Sequence, residues 1–227
     1  MDRNLNPAVI LHLSDTHRTA EEQVSNAELL QYLTRDIRGY TAQGIPTPNI
    51  VLISGDITQR AEVAEYTEAE ELITGLLAEL KLSKDHLILV PGNHDVHWPN
   101  AEKTMKVGAG TTTFQKEVAF KAGPLTLHFE DEAAFQERLE NFRNFYSRVK
   151  GRDYPKLRAG SFTLDDFPNL GLTVVGLSSV DRVHQHYRIR SGNRVVTKRG
   201  ALTQARVHDI AQCNQDLVDG GRLERLE

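Results

Sequence analysis

The stretch Leu87-Ile88-Leu89-Val90-Pro91-Gly92-Asn93-His94-Asp95-Val96-His97-Trp98 decides the fold. Four consecutive β-forming apolar residues end at a Pro-Gly turn, and Asn93, His94 and Asp95 follow at once. A short apolar run closed in this way reads as a strand buried on both faces, the kind found in parallel sheets. In open α/β sheets the crevice at the carboxyl ends of such strands is where ligands bind. The same pattern occurs twice before it. Val9-Ile10-Leu11 leads to Asp15 and His17, and Ile50-Val51-Leu52-Ile53 leads to Gly55-Asp56. Three buried strands each end in side chains able to hold a metal.

Between these strands the pattern turns helical. Ser25-Asn26-Ala27-Glu28 has capping-box spacing, and Leu29, Leu33, Ile37 and Tyr40 then share one helical face before Gly44-Ile45-Pro46 closes the unit. Ala69, Leu72, Ile73, Leu76, Leu77 and Leu80 form a second apolar stripe, with glutamates at 62, 65, 68, 70, 71 and 79 mostly off it, read as a solvated face. The strands, expected at 8–13, 49–53 and 86–90, therefore alternate with helices, which implies parallel pairing and right-handed crossovers. From about 99 to 155 the pattern changes. Lys106 to Thr113 reads as a Gly- and Thr-rich loop, and Phe135, Leu139, Phe142, Tyr146 and Val149 recur at helical spacing as a core-packing face. This stretch reads as an insertion lying over the strand ends, where it could wall a substrate pocket. Strands are expected at 160–164 and 171–177, a polar hairpin at 186–198 turning at Ser191-Gly192-Asn193, and a last helix capped by Thr203 with Val207, Ile210, Ala211 and Leu217 inward.

The totals set outer bounds. A chain of 227 residues can bury roughly 70% of its unfolded surface without disulfide staples. The single cysteine, Cys213, excludes an internal disulfide and any Cys-based zinc or iron–sulfur site, and it suits a cytoplasmic location. The opening Met1 to Pro7 is not a signal peptide, and the apolar runs fall far short of a membrane span, so no membrane partner is expected. A net charge of −4 gives no global basic field for nucleic acid, which leaves such a partner disfavoured though open.

The three clusters have definite chemistry. Asp15 and His17 stand two residues apart. If the extended conformation continues that far, both side chains point the same way, as two ligands of one ion must. Asp56 follows a glycine that allows a sharp turn and close approach, and its two carboxylate oxygens can bridge two cations. Asn93 offers an amide oxygen, and His94 an imidazole that can ligate or transfer a proton. Asp95 could hydrogen-bond His94 and fix its tautomer. Taken singly, each has an ordinary structural use as cap or turn; their joint placement after buried strands points to a shared site.

Asp15-Thr16-His17, Gly55-Asp56 and Gly92-Asn93-His94-Asp95, in that order, resemble the N-terminal half of the calcineurin-like metallophosphoesterase signature. Between Asp15 and Asp56, and again between Asp56 and Asn93, there is room for one helix. The resemblance covers 8–98 well and extends loosely over 171–218, toward the cyclic-nucleotide-phosphodiesterase-like branch. It implies a layered α/β/β/α sandwich, incomplete at its C-terminus, forming one domain over 1–227 with a core at 8–98 and 160–218. It also implies two divalent ions (manganese, iron or zinc). Asp15 and His17 would hold the first, Asp56 would bridge, and Asn93 would hold the second. His94 would lie outside the metal shell, contacting the phosphate or protonating the leaving group, while a hydroxide held between the ions attacks phosphorus. The substrate would be a phosphodiester or phosphomonoester, with a nucleotide as one candidate.

The sequence also departs from the family pattern. The family completes its shells with histidines from a His-His strand and a Gly-His-x-His loop, and neither motif occurs here. The second metal site is therefore expected to be incomplete, the sequence to be truncated at its C-terminus, and a fused region beyond 227 to be a candidate partner. His184 and His186 are spaced like ligands, but they match neither motif and also read as hairpin surface. Six basic residues and no acidic one lie between Arg182 and Arg199, either steering a phosphate or solvating a hairpin. Trp98 either stacks on a base or packs under the insertion. Two alternatives to a small-ester phosphoesterase stay open: a nucleic-acid phosphodiesterase, and an impaired metal- or nucleotide-binding sensor or regulatory module.

Overall fold

Strands β1 (Ile10–Leu13), β2 (Ile50–Ile53) and β3 (Leu87–Leu89) pair in parallel in the order β1-β2-β3, with Ile10 opposite Ile50 and Val51 opposite Leu87. The structure, a computed structural model, describes residues 6–19, 21, 24–100, 105–107, 120–122, 125–129, 136–155, 162–178, 180, 189–191 and 194–196. β2 and β3 are buried on both faces, as their unbroken apolar runs predict, but β1 is not the buried strand expected, since Ile10 and His12 are exposed and Leu11 and Leu13 only half-buried. On one face Val51, Ile53, Leu87 and Leu89 pack into the main core with the helices. On the other, Ile50 and Ile88 pack with Phe167, Leu172 and Val174.

Helix α1 (Asn26–Ala42) starts as the sequence predicts. Glu28 N donates to Ser25 Oγ at 3.2 Å, and Ser25 N donates to Glu28 Oε2 at 3.0 Å. Of the expected face Leu29, Leu33, Ile37 and Tyr40, Ile37 packs against the main core, joined there by Leu30, which the expected face did not include, while Tyr40 is exposed. Helix α2 (Val63–Leu80) is the buttress, with Ala69, Leu72, Ile73, Leu76 and Leu77 buried as expected. Each such large side chain fully removed from water contributes about 1.5–3 kcal/mol. Glu65 departs from the solvated acidic face. It is buried, and its Oε2 accepts from the backbone N–H of Arg60 at 2.8 Å and Glu62 at 3.2 Å, satisfying donors at the start of α2.

The expected helical face at 139–149 forms α3 (Glu140–Lys150), with Phe142, Tyr146 and Val149 buried and Leu139 just before it; Phe135 lies outside the described residues. Tyr66 stacks on Phe145 at 4.9 Å between ring centroids, which locks α3 against α2. α3 thus joins the helical layer instead of lying over the strand ends. The start of α3 and the residues just before it meet the loops there, through Asn141 Nδ2 to Ala61 O at 2.9 Å and His97 N to Arg138 O at 2.8 Å. Its last residue, Lys150, donates to the carbonyl of Leu87 at the opposite end of β3.

Some strands within the expected insertion and beyond it are not legible locally. β4 (Met105–Val107) pairs antiparallel with β6 (Leu125–Phe129), and β5 (Phe120–Ala122) pairs with β6 on its other edge. Lys106 and Val107 therefore lie in a strand, in place of the expected loop, because a partner some twenty residues later takes up their backbone groups. β7 (Phe162–Phe167) and β8 (Leu172–Leu177) form the antiparallel hairpin that covers the second face of the sheet. β7 covers 162–164 of the expected strand and runs on through Asp165 and Asp166, while 160 and 161 lie outside the described residues. Asp165 is tolerated there because Lys150 Nζ donates to it at 2.8 Å and Arg152 at 2.6 Å. The polar hairpin is present as β9 (Ile189–Ser191) and β10 (Arg194–Val196). The architecture is mixed α/β with a parallel sheet, a helical layer and a second, antiparallel β layer. Residues 108–113, His184, His186, the Thr203 helix and Cys213 lie outside the described residues.

Candidate metal centre

The loops after β1, β2 and β3 are laid side by side by backbone pairing that continues past the strands. Asp15 N donates to Gly55 O at 3.1 Å, His17 N to Asp56 O at 2.9 Å and Arg18 N to Ile57 O at 2.8 Å. Asp15, His17 and Asp56 all take the left-handed conformation, with φ of 55°, 42° and 51°. Asp and His are among the non-glycine residues that tolerate this best, yet each such position costs of order 1 kcal/mol and persists only where surrounding contacts fix it. The expected extended backbone through Asp15 and His17 is therefore not what joins them. Two left-handed residues flanking Thr16 do so, leaving His17 Nε2 3.9 Å from Asp15 Oδ1.

His17, Asp56 and His94 converge, each offering a ligand atom, and these atoms all lie within 4.8 Å of one another. The two imidazoles meet edge to face, 4.6 Å between centroids and 87° between planes. Asp56 Oδ1 accepts from His94 N at 2.9 Å. His94 Nδ1 lies 2.8 Å from the carbonyl of Gln59, which can only accept, so Nδ1 carries the proton and Nε2 presents a lone pair. Asp15 stands at the rim with 66% of its side chain exposed. Asn93 is exposed at the head of the short 3-10 turn Asn93–Asp95, next to His94.

Asp95 does not bond to the His94 ring, contrary to the sequence expectation. It is fully buried and points the other way, accepting from Gly92 N at 2.8 Å, Ile57 N at 3.1 Å and Thr58 N at 3.1 Å. Burial pushes its carboxyl up to about 6, against the pull of those N–H groups and with a smaller push from Asp56. Its role is to bind the β3 loop to the β2 loop, while the tautomer of His94 is set by the Gln59 carbonyl. Tyr66, whose phenol burial holds well above its usual range and hence protonated, donates to the Asp95 carbonyl at 3.1 Å.

Two glycines permit the convergence. Gly55 has φ of 113°, and a Cβ there would come 2.7 Å from Gly92 N. At Gly92 a Cβ would collide with Asp56 Oδ1 and Asp56 N. Gly92 reads in the sequence as a turn residue, but its contact with Asp56 carries no local signal. Thr58 and the Gln59 carbonyl carry none either. Trp98 is buried in the main core, which resolves its two readings in favour of packing.

The cluster fits a divalent cation. Imidazole plus carboxylate is a donor set of borderline hardness suited to first-row metals. His17 Nδ1 is buried without a hydrogen-bond partner, and an unpaired buried polar atom is costly unless something unseen pairs with it.

Comparison with known proteins identifies the family. The sequence matches calcineurin-like phosphoesterase over residues 8–211, and the chain belongs to that family. A search of curated proteins gives no match. The family is one of metal-dependent phosphoester hydrolases, and the His17–Asp56–His94 cluster is compatible with that chemistry. Among the described residues, no helix is long and apolar enough to cross a membrane.

Proposed function

We propose that the chain hydrolyses a phosphodiester or phosphomonoester, with a small diester such as a cyclic nucleotide as first candidate, assisted by two divalent ions. Asp15, His17 and Asp56 would hold one ion, and Asp56 and Asn93 the other, with manganese, iron or zinc suited to the set. Such ions, when bound, make water a better nucleophile and draw charge from the phosphate. The residues of the chain supply the rest. Asp56 is held beside the two imidazoles by the His94 N–H. His94 in its protonated form gives the Nε2 proton to the departing oxygen. As the bond from the attacking water oxygen to phosphorus forms, the ester P–O bond breaks, and the water proton leaves to solvent. The Nδ1–H stays on Gln59 O throughout, so the ring keeps its orientation. Asp95 acts through the loops as a positioning residue.

The observation that carries this reading is the convergence of His17, Asp56 and His94 from three separate strand ends, supported by family membership. We take 1–227 as a single domain in the cytoplasm. A second reading is a metal- or nucleotide-binding module with little turnover. Hydrolysis of a generic aryl phosphodiester with added manganese separates the two. The expected result is turnover that falls at least about a hundredfold in Asp56→Asn and in His94→Ala, the scale typical of general acid loss. Nucleotide binding without turnover in the unaltered protein would favour the module.

A further inference from the structure

We propose that Thr58 is a positioning residue that registers all three candidate ligand loops against one another. The proposal rests on the phosphoesterase reading for its consequence, though not for its geometry. Thr58 is fully buried, two residues after Asp56. Each neighbouring loop meets it at the residue just after its own member of the His17–Asp56–His94 cluster. Arg18, following His17, forms an isolated parallel bridge with Thr58. Asp95, following His94, accepts from Thr58 N at 3.1 Å.

The hydroxyl extends this register. Thr58 Oγ1 lies 3.2 Å from Asp95 Oδ1 and 3.3 Å from His94 O, and its single proton serves one of these acceptors at a time. As an acceptor it takes Ala61 N at 3.2 Å, and Ala61 holds a φ of 59° that an alanine adopts only under constraint. One side chain thus ties the carbonyl behind His94, the carboxylate of Asp95 and the turn that leads into α2. Valine has the same shape but can neither donate nor accept. Thr58→Val would leave Ala61 N and the His94 carbonyl without this partner in a buried setting, and the loops would be free to shift by the fraction of an ångström that ligand geometry does not tolerate.

The test uses the full chain and Mn2+ alone as probe. Thr58→Val is expected to weaken Mn2+ uptake by about 10–100-fold, the usual cost of losing a group that orients ligands. Thr58→Ser restores the hydroxyl and should stay within about threefold of the parent. If Thr58→Val does not fold, Thr58→Ala against Thr58→Ser isolates the same hydroxyl. A lower melting temperature with Mn2+ affinity unchanged would mark Thr58 as merely structural and overturn the proposal. Amide hydrogen exchange without metal judges the register separately. Joint loss of protection at Arg18, Ala61 and Asp95 supports it, and loss confined to residues 58–61 overturns it. If the parent protein takes up no Mn2+, the phosphoesterase reading fails, and the exchange result alone decides the register.

Discussion

Gly92 shows how much at this site depends on a single missing atom. Its φ of −99° is open to any residue, so conformational freedom is not why glycine stands there. The reason is contact, since a Cβ would run into the carboxylate and amide of Asp56. Gly92→Ala should therefore displace Asp56, costing about 1–3 kcal/mol by denaturant unfolding, as overpacking does. Metal uptake should fall by more than about tenfold, a scale typical of disturbed ligand support. Gly39, inside α1 with nothing within 4 Å of its would-be Cβ, is the matched control, and Gly39→Ala should leave metal uptake unchanged. At this scale the sequence names Asp15, His17, Asp56, Asn93 and His94 as candidates because their residue types and positions after strands are local facts. The partners that aim them are hidden from it. Gln59 acts through a backbone carbonyl that every residue possesses, and Asp95 works across 38 residues of sequence on Ile57 N. Local reading assigns Asp95 to its neighbour His94; burial gives it to the β2 loop.

At the scale of elements, what joins α3 to the sheet is an ion cluster in an otherwise apolar layer. Lys150 and Asp165 each have 3% of their side chains exposed, and Lys150 also donates to the carbonyls of Lys84 and Leu87. Desolvation lowers the pKa of Lys150, and the Asp165 carboxylate opposes that shift. Breaking such a pair costs more than never having it. Lys150→Met should destabilise by about 3–5 kcal/mol in urea unfolding, and pairing it with Asp165→Leu should recover a good part of that loss. A single variant as stable as the parent would contradict this account of the layer. The same cluster explains why the extent of β7 is hard to read. Asp165 and Asp166 break the apolar run that β7 would need on its own, and the cations that admit Asp165 stand 15 and 13 residues earlier in the sequence. α2, by contrast, is legible because its stripe is complete within one helix, and Ser25 with Glu28 marks the start of α1 within four residues. The pairing of β4 with β6 depends on a partner distant in the sequence, so no window around Lys106 contains it.

At the scale of the molecule, the parallel sheet serves as a rack. Helices press on one face and the β7–β8 hairpin on the other, which fixes three strand ends so closely that pairing continues into the loops beyond them. The rack is readable from the sequence because three apolar runs alternate with two helical patterns. The convergence itself can only be expected, since it depends on left-handed residues at Asp15, His17 and Asp56, of which only Asp56 has a neighbour, Gly55, that signals a turn. The central claim is that these loops build a divalent-cation site with Asp56 at its middle. Its most direct test is a Mn2+ titration of the purified protein followed by electron paramagnetic resonance, run beside Asp56→Asn. The account predicts saturable uptake by the parent and at least about tenfold weaker uptake by the variant. No uptake by the parent, or equal uptake by both, would contradict it.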